Sequence, residues 1–168
     1  MATISVLADN GDLNRVEIEL DSGRQPWRCL YATPEFSEWA GSALPRLETG
    51  VMQAEITPNE QVYALFADFI EGKHFEENKR FRSLVYHPVE HVWELKTVDV
   101  RIFGWFAQMD QFVCCFGEHK DVLMDPTEVT RTYGRYILRT NFERERLNLD
   151  PPKSVEYKDY ANVLSDAD

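Results

Sequence analysis

Cysteine is scarce: the 168 residues hold three, Cys29, Cys114 and Cys115. An odd count with two adjacent members, which point to opposite faces of any strand, speaks against a disulfide framework or a zinc site and for small buried hydrophobes. Long apolar runs are missing as well. None approaches the ~20 residues of a bilayer crossing, and the start Met1-Ala2-Thr3-Ile4-Ser5 has neither the basic nor the apolar region of a secretion signal. The expected compartment is therefore the cytoplasm. Basic residues are in deficit, 18 against 29 acidic ones, and a net charge of −11 argues against broad non-specific binding to nucleic acid. The sequence has no glycine-rich phosphate loop, nucleophile elbow or paired CxxC, so most enzyme classes lack support and no cofactor is expected. His87 and His91 are four apart, but the intervening Pro88 excludes a helical metal pair, and with Glu90 they make only a weak ligand cluster.

What is present is enough apolar material for one ordinary core, 43% of residues with 12% aromatic. Residues 91–117 organise it. Val98, Val100 and Ile102 alternate with Asp99 and Arg101, Trp93 and Leu95 alternate with Glu94 and Lys96, and residues 112–116 are apolar on both faces, like a covered central strand. The breaks at Lys96-Thr97 and Gln108-Met109-Asp110-Gln111 suit hairpins. The simplest arrangement is an antiparallel meander.

Ahead of it, residues 4–8 and 15–20 flank Asn10-Gly11, a strong hairpin signal, and predict an N-terminal β-hairpin extension within residues 1–25. Ser22-Gly23 breaks that pattern, and residues 27–31 read as a strand. Thr33-Pro34-Glu35 starts a helix that Pro45 ends or kinks. Thr57-Pro58-Asn59-Glu60 is a capping box with Pro at the first helical position, and Val62, Leu65, Phe66, Phe69 and Ile70 follow on one face up to Gly72. A second such box, Asp125-Pro126-Thr127-Glu128, predicts a helix from Pro126 to about Arg146. On it Val129, Tyr133, Tyr136, Ile137 and Thr140 share a side opposite Arg131, Arg135, Arg139 and Arg146. The acidic tail, 151–168, carries a short helix or none. The fold class is α+β: a small antiparallel sheet with two helices from the N-terminal half and one C-terminal helix, in a single domain over 1–150.

Charge is uneven along the chain. Residues 31–78 carry nine acidic and two basic residues, net −7, whereas residues 79–146 carry ten acidic and eleven basic ones, net +1. A local basic patch can therefore sit inside an acidic protein.

Several words, in order, carry a resemblance. Leu30-Tyr31-Ala32-Thr33-Pro34-Glu35-Phe36-Ser37-Glu38-Trp39 is a strand-to-helix junction, and Val92-Trp93-Glu94-Leu95-Lys96 a strand ending in a "WEL+" word. Asp99-Val100-Arg101-Ile102-Phe103-Gly104-Trp105-Phe106 and Phe112-Val113-Cys114-Cys115-Phe116-Gly117 follow as strands. Over about residues 27–146 the chain resembles the RelE/ParE toxin superfamily, and within it the HigB-like, phage-derived branch. The resemblance implies a compact microbial toxin fold with an antitoxin partner. It also implies one of two activities, ribosome-dependent mRNA cleavage by basic and aromatic or histidine side chains, or gyrase poisoning without cutting RNA. Arg101 matches the arginine of the second core strand and Lys120 the first of two basic residues after the last strand. The second of those positions is Asp121, a reversal of charge, and Val122-Leu123-Met124 offers no counterpart of the downstream lysine.

Cleavage of RNA by its own 2′-hydroxyl needs a base, cations for the phosphorane and an acid for the leaving oxygen. Arg101 and Lys120 supply charge, and His119 or Tyr133 proton transfer; each also has an ordinary structural reading, as a salt bridge, a strand-end turn or core packing. Lys96, Arg131, Arg135 and Arg139 could follow a phosphate backbone or receive an acidic partner, or form a solvated face. Two functions stay open: a RelE/HigB-type endoribonuclease acting on translation, and a non-catalytic phage or prophage protein of the same fold that binds a host protein.

Overall fold

The computed structural model describes residues 1–21 and 23–167, so Ser22 of the expected break and Asp168 of the tail lie outside the described residues. In chain order the elements are α1 (Ile4–Asp9), β1 (Asn14–Arg15), β2 (Cys29–Ala32), α2 (Pro34–Ser42), a 3-10 turn (Leu44–Arg46) and α3 (Pro58–Glu71). Then come β3 (Phe81–Tyr86), β4 (Val89–Lys96), β5 (Val100–Gln108), β6 (Gln111–His119), α4 (Lys120–Met124), α5 (Tyr133–Arg146) and α6 (Tyr160–Val163). The class is α+β. The sheet is larger than the small antiparallel one expected: six strands in the order β1-β2-β6-β5-β4-β3. It is also mixed, because β3 to β6 form the antiparallel meander while β2 lies parallel to β6.

Helices cover both faces. Residues of α2 and α3 pack with Trp93, Leu95, Val100, Ile102, Phe106 and Phe112 on one side. Residues of α1 and α5 pack with Val92, Phe103, Trp105, Val113 and Cys115 on the other. This two-sided cover explains why β6 is apolar on both faces. At Gly104, beside a bulge, an added Cβ would stand 1.9 Å from the Val113 carbonyl oxygen, so the close approach of β5 to β6 requires glycine there.

The helix starts follow their caps. Thr33 accepts from the Phe36 amide, and Thr57 and Glu60 close a reciprocal capping box, with Gly72 left-handed at the far end of α3.

Three expectations fail for local reasons. The N-terminal hairpin is replaced by α1, which Thr3 caps and Ile4 and Leu7 bury. Asn10-Gly11 ends that helix, with Gly11 at φ 81°, where a hairpin turn was expected. Of residues 15–20 only Arg15 joins a ladder, although Val16, Ile18 and Leu20 still turn inward at period 2. Val98 leaves the face shared by Val100 and Ile102 and sits in the exposed β4–β5 turn. The last helix starts at Tyr133, capped by Thr132, and Pro126 lies outside it. Asp125 accepts from the amide and hydroxyl of Thr127, and Glu128 from those of Thr130. These carboxylates satisfy turn donors and so compete with the helix their spacing suggested.

The acidic tail is part of the fold. Val163 and Leu164 are buried in the core on the α2 and α3 side, and the buried Arg28 binds the chain beyond them. Its Nε donates to the Ser165 carbonyl at 2.9 Å and its Nη2 to Asp166 Oδ1 at 2.8 Å. Burial alone would raise the Asp166 carboxyl, but hydrogen bonds from Tyr160 and His74 and the charges of His74 and Arg28 leave it below its ordinary value. A depressed folded pKa contributes stability above the unfolded value and loses it as pH falls through the folded one. The docked tail is therefore expected to loosen below about pH 4, seen as faster hydrogen exchange at the Ser165 and Ala167 amides; protection unchanged down to pH 2 would exclude this.

Candidate functional site

The α5 face of the sheet carries charge in its interior. Strand pairing sets Arg82 of β3 opposite Glu94 of β4, and Lys96 of β4 opposite Arg101 of β5, which faces Glu118 of β6. Period 2 directs Arg82, Glu94 and Arg101 to the side that α5 covers. Glu94 is 0% exposed. Arg82 Nη2 approaches Glu94 Oε1 to 2.7 Å and Arg101 Nε lies 4.0 Å from Oε2. The first contact misses the hydrogen-bonding direction and the second is too long for a hydrogen bond, so both are ion pairs, and among the described residues Arg82 Nε and Arg101 Nε donate no hydrogen bond. The buried carboxylate is thus held by charge between two guanidinium groups, with the Tyr133 hydroxyl as its remaining polar neighbour.

Tyr133, in the first turn of α5, closes the cluster. Its ring meets Phe103 edge-on and lies 5.9 Å from the Arg82 guanidinium carbon. Burial first, and then the Glu94 carboxylate, push its hydroxyl up to about 12. The phenol therefore keeps its proton at neutral pH. An open cleft of about 340 Å³ is lined by Arg82, Ser83, Tyr86, Tyr133 and Gly134, so two members of the cluster reach solvent there while Glu94 and Arg101 lie behind them. Glu118, next along the face, is satisfied: it accepts from the Tyr136 hydroxyl at 2.7 Å and from the His119 amide at 2.8 Å.

Of the four side chains the sequence pointed to for catalysis, Arg101 and Tyr133 share this cluster and His119 does not. Val100 pairs with His119 while Arg101 pairs with Glu118, so the side chains of His119 and Arg101 leave the sheet on opposite faces. His119 caps α4: its Nδ1 accepts from the Asp121 amide at 3.0 Å, which leaves the ring proton on Nε2, donated to the Glu48 carbonyl. Asp121, the charge reversal, accepts from the Val51 amide. Lys120 opens α4, and its amide donates to the Asp99 carbonyl.

The arginine stripe is engaged internally. Arg139 pairs with Glu35 at 2.7 Å and stacks over Phe116, Arg135 donates to the Val129 carbonyl, and Arg131 binds Glu128. Arg131 precedes the helix, and Arg144, which no periodicity singled out, is buried with its guanidinium on the carbonyls of Glu90 and His91. Arg82 and Glu94 escaped sequence reasoning because an alternating strand reads Glu94 as solvated. Only the register of β3 on β4, with α5 above, makes it an interior charge.

Neither protein-family models, curated proteins nor solved structures contain a match to this chain. No helix among the described residues is long and apolar enough to cross a membrane.

Proposed function

We propose that this is a toxin-like protein of the RelE/HigB type that cuts messenger RNA at the ribosome, with Glu94, Arg82, Arg101 and Tyr133 as its working group and a small antitoxin as its natural partner. The observation that carries the reading is the buried Glu94 carboxylate, flanked by two cations and the Tyr133 phenol. The order of strand, two helices, antiparallel strands and closing helix agrees with it. Once substrate has opened the α5 side over the covered carboxylate, Glu94 would take the proton of a ribose 2′-hydroxyl as that oxygen bonds to phosphorus. Arg82 and Arg101 would hold the charge that develops on the phosphorane. The bond to the 5′-oxygen breaks as Tyr133 gives that oxygen its proton, leaving a cyclic phosphate and a free 5′-hydroxyl. Proton return from Glu94 to Tyr133 restores both groups.

A second reading, a non-catalytic phage or prophage protein that binds a host protein, is favoured by one specific feature. The Arg101 Nη1 is spent on the Thr97 and Val100 carbonyls, at 2.6 and 3.0 Å, in the manner of a structural arginine. Induction in a bacterial host, with transcript ends mapped by primer extension, separates the two. Growth arrest with new 5′-hydroxyl ends supports the nuclease, and an Arg101→Ala/Tyr133→Phe variant should lose them. Normal growth with intact transcripts leaves the binding protein.

A further inference from the structure

At the end of the sheet a groove of about 330 Å³ runs between α3 and the β4–β5 turn. Ile56, Ala64 and Val98 give it an apolar lining and Lys79, Arg80 and Lys96 a basic one. We propose that this groove is a docking site for a segment of another protein that carries an aliphatic side chain next to carboxylates. Three observations lead there.

The first is charge. In a chain of net charge −11, three cations meet around one apolar groove. Lys79 and Arg80 have carboxylates at Glu76 and Asp68, but among the described residues no carboxylate lies within salt-bridge distance of Lys96, whose ammonium donates only to the Asn78 carbonyl at 2.9 Å. Burial, and then the charge of Arg101, hold Lys96 below its usual range, with Arg82 and Lys120 adding to the effect and Glu94 opposing it. An incoming carboxylate relieves that excess of positive charge.

The second is exposed apolar surface. Val98 and Ile56 remain 47% and 46% exposed, and Val51 and Met52 extend the same loop with still more of their surface in water. Solvent-facing aliphatic groups gathered at one edge mark interaction sites more often than scattered ones do.

The third is rigidity. The buried side chain of Gln61 donates to the Ile56 carbonyl at 3.1 Å and to Asp99 Oδ2 at 2.7 Å, and accepts from the Asp99 amide and the Thr97 hydroxyl. One amide group thus fixes Ile56 and both neighbours of Val98. Asp99 also accepts from the Gly50 amide, which pins the start of the Val51-Met52 loop to the same turn. A surface held in place before its partner arrives loses little freedom on binding. Lys96 feels the charges of Arg101, Arg82 and Glu94, whereas Ile56, Ala64 and Val98 line the groove from the α3 side and the turn, so Val98→Asp tests docking independently of RNA cleavage.

The test uses the whole protein, immobilised and panned with a phage-displayed library of random dodecapeptides, beside Val98→Asp and Lys96→Glu variants whose melting curves establish that they fold. Enriched peptides should combine Leu, Ile or Val with Asp or Glu. A labelled copy of the leading peptide should bind each variant at least about tenfold more weakly. Failure to enrich any peptide, enrichment of basic sequences, or binding that ignores both substitutions overturns the proposal. Variant-sensitive binding of a labelled oligouridylate in place of peptide also overturns it, because the cations would then serve phosphates.

Discussion

Glu94→Gln is expected to lower RNA cleavage by about 10²–10⁴-fold, the usual contribution of a positioned general base. The amide keeps the volume of the carboxylate and fits the same space between Val92 and Lys96 on β4, but it cannot take a proton from a hydroxyl. The substitution also removes the counter-charge of two guanidinium groups. Arg82 keeps 42% of its side chain in solvent and can rehydrate, and Arg101 retains its bonds to Thr97 and Val100. Removing one partner of a buried ion pair commonly costs about 3–5 kcal/mol, and these two compensations place the substitution at the lower end. That is too little to unfold a domain whose stability is of the order of 5–15 kcal/mol. Single-turnover cleavage and thermal melting on one preparation separate the two effects. A Gln variant that cuts at the parental rate removes Glu94 from the mechanism, and one that fails to melt cooperatively makes its role structural.

A large stability effect is expected at Arg28→Met, about 3 kcal/mol. Arg28 has a fully buried side chain whose guanidinium serves the Phe69, Lys73 and Ser165 carbonyls and the carboxylates of Asp110 and Asp166. Methionine fills similar space, leaves the Lys73 and Ser165 carbonyls without a donor, and removes the counter-charge of Asp110 and Asp166. Removing one partner from a buried charge network commonly costs about 3–5 kcal/mol. The lower end applies because Asp166 is 35% exposed and is partly screened by water. In a chain of this length such a loss lowers the melting temperature by about 6–12 °C. Loss of protection should concentrate in residues 160–167, which Arg28 fastens to the β5–β6 turn. A variant melting within a degree of the parent would mean that Val163 and Leu164 hold the tail without the charge network.

Local chemistry was legible wherever a residue acts on its own neighbours. Thr33-Pro34 and the Thr57/Glu60 capping box mark helix starts because the donors they satisfy lie within the next turn. The Met109-Asp110 hairpin was readable because two residues suffice to reverse the chain, with Asp110 taking a left-handed backbone. The same local logic misled at Asn10-Gly11 and at Asp125 to Glu128, where one set of residues suits two structures and burial of Ile4 and Leu7, or hydrogen bonds to Thr127 and Thr130, decide between them.

By itself the amino-acid sequence determined the α+β class, the meander from β4 to β6 and the apolar faces of α2 and α3, all of which follow from period and capping along the chain. Only the tertiary structure decided that β2 lies parallel to β6, that the tail closes over Arg28, that His119 turns away from Arg101, and that Glu94 lies buried between Arg82 and Arg101. The reason is physical: an alternating strand states which residues share a face, but which face is buried, and beside which charge, depends on strands and helices distant in the chain.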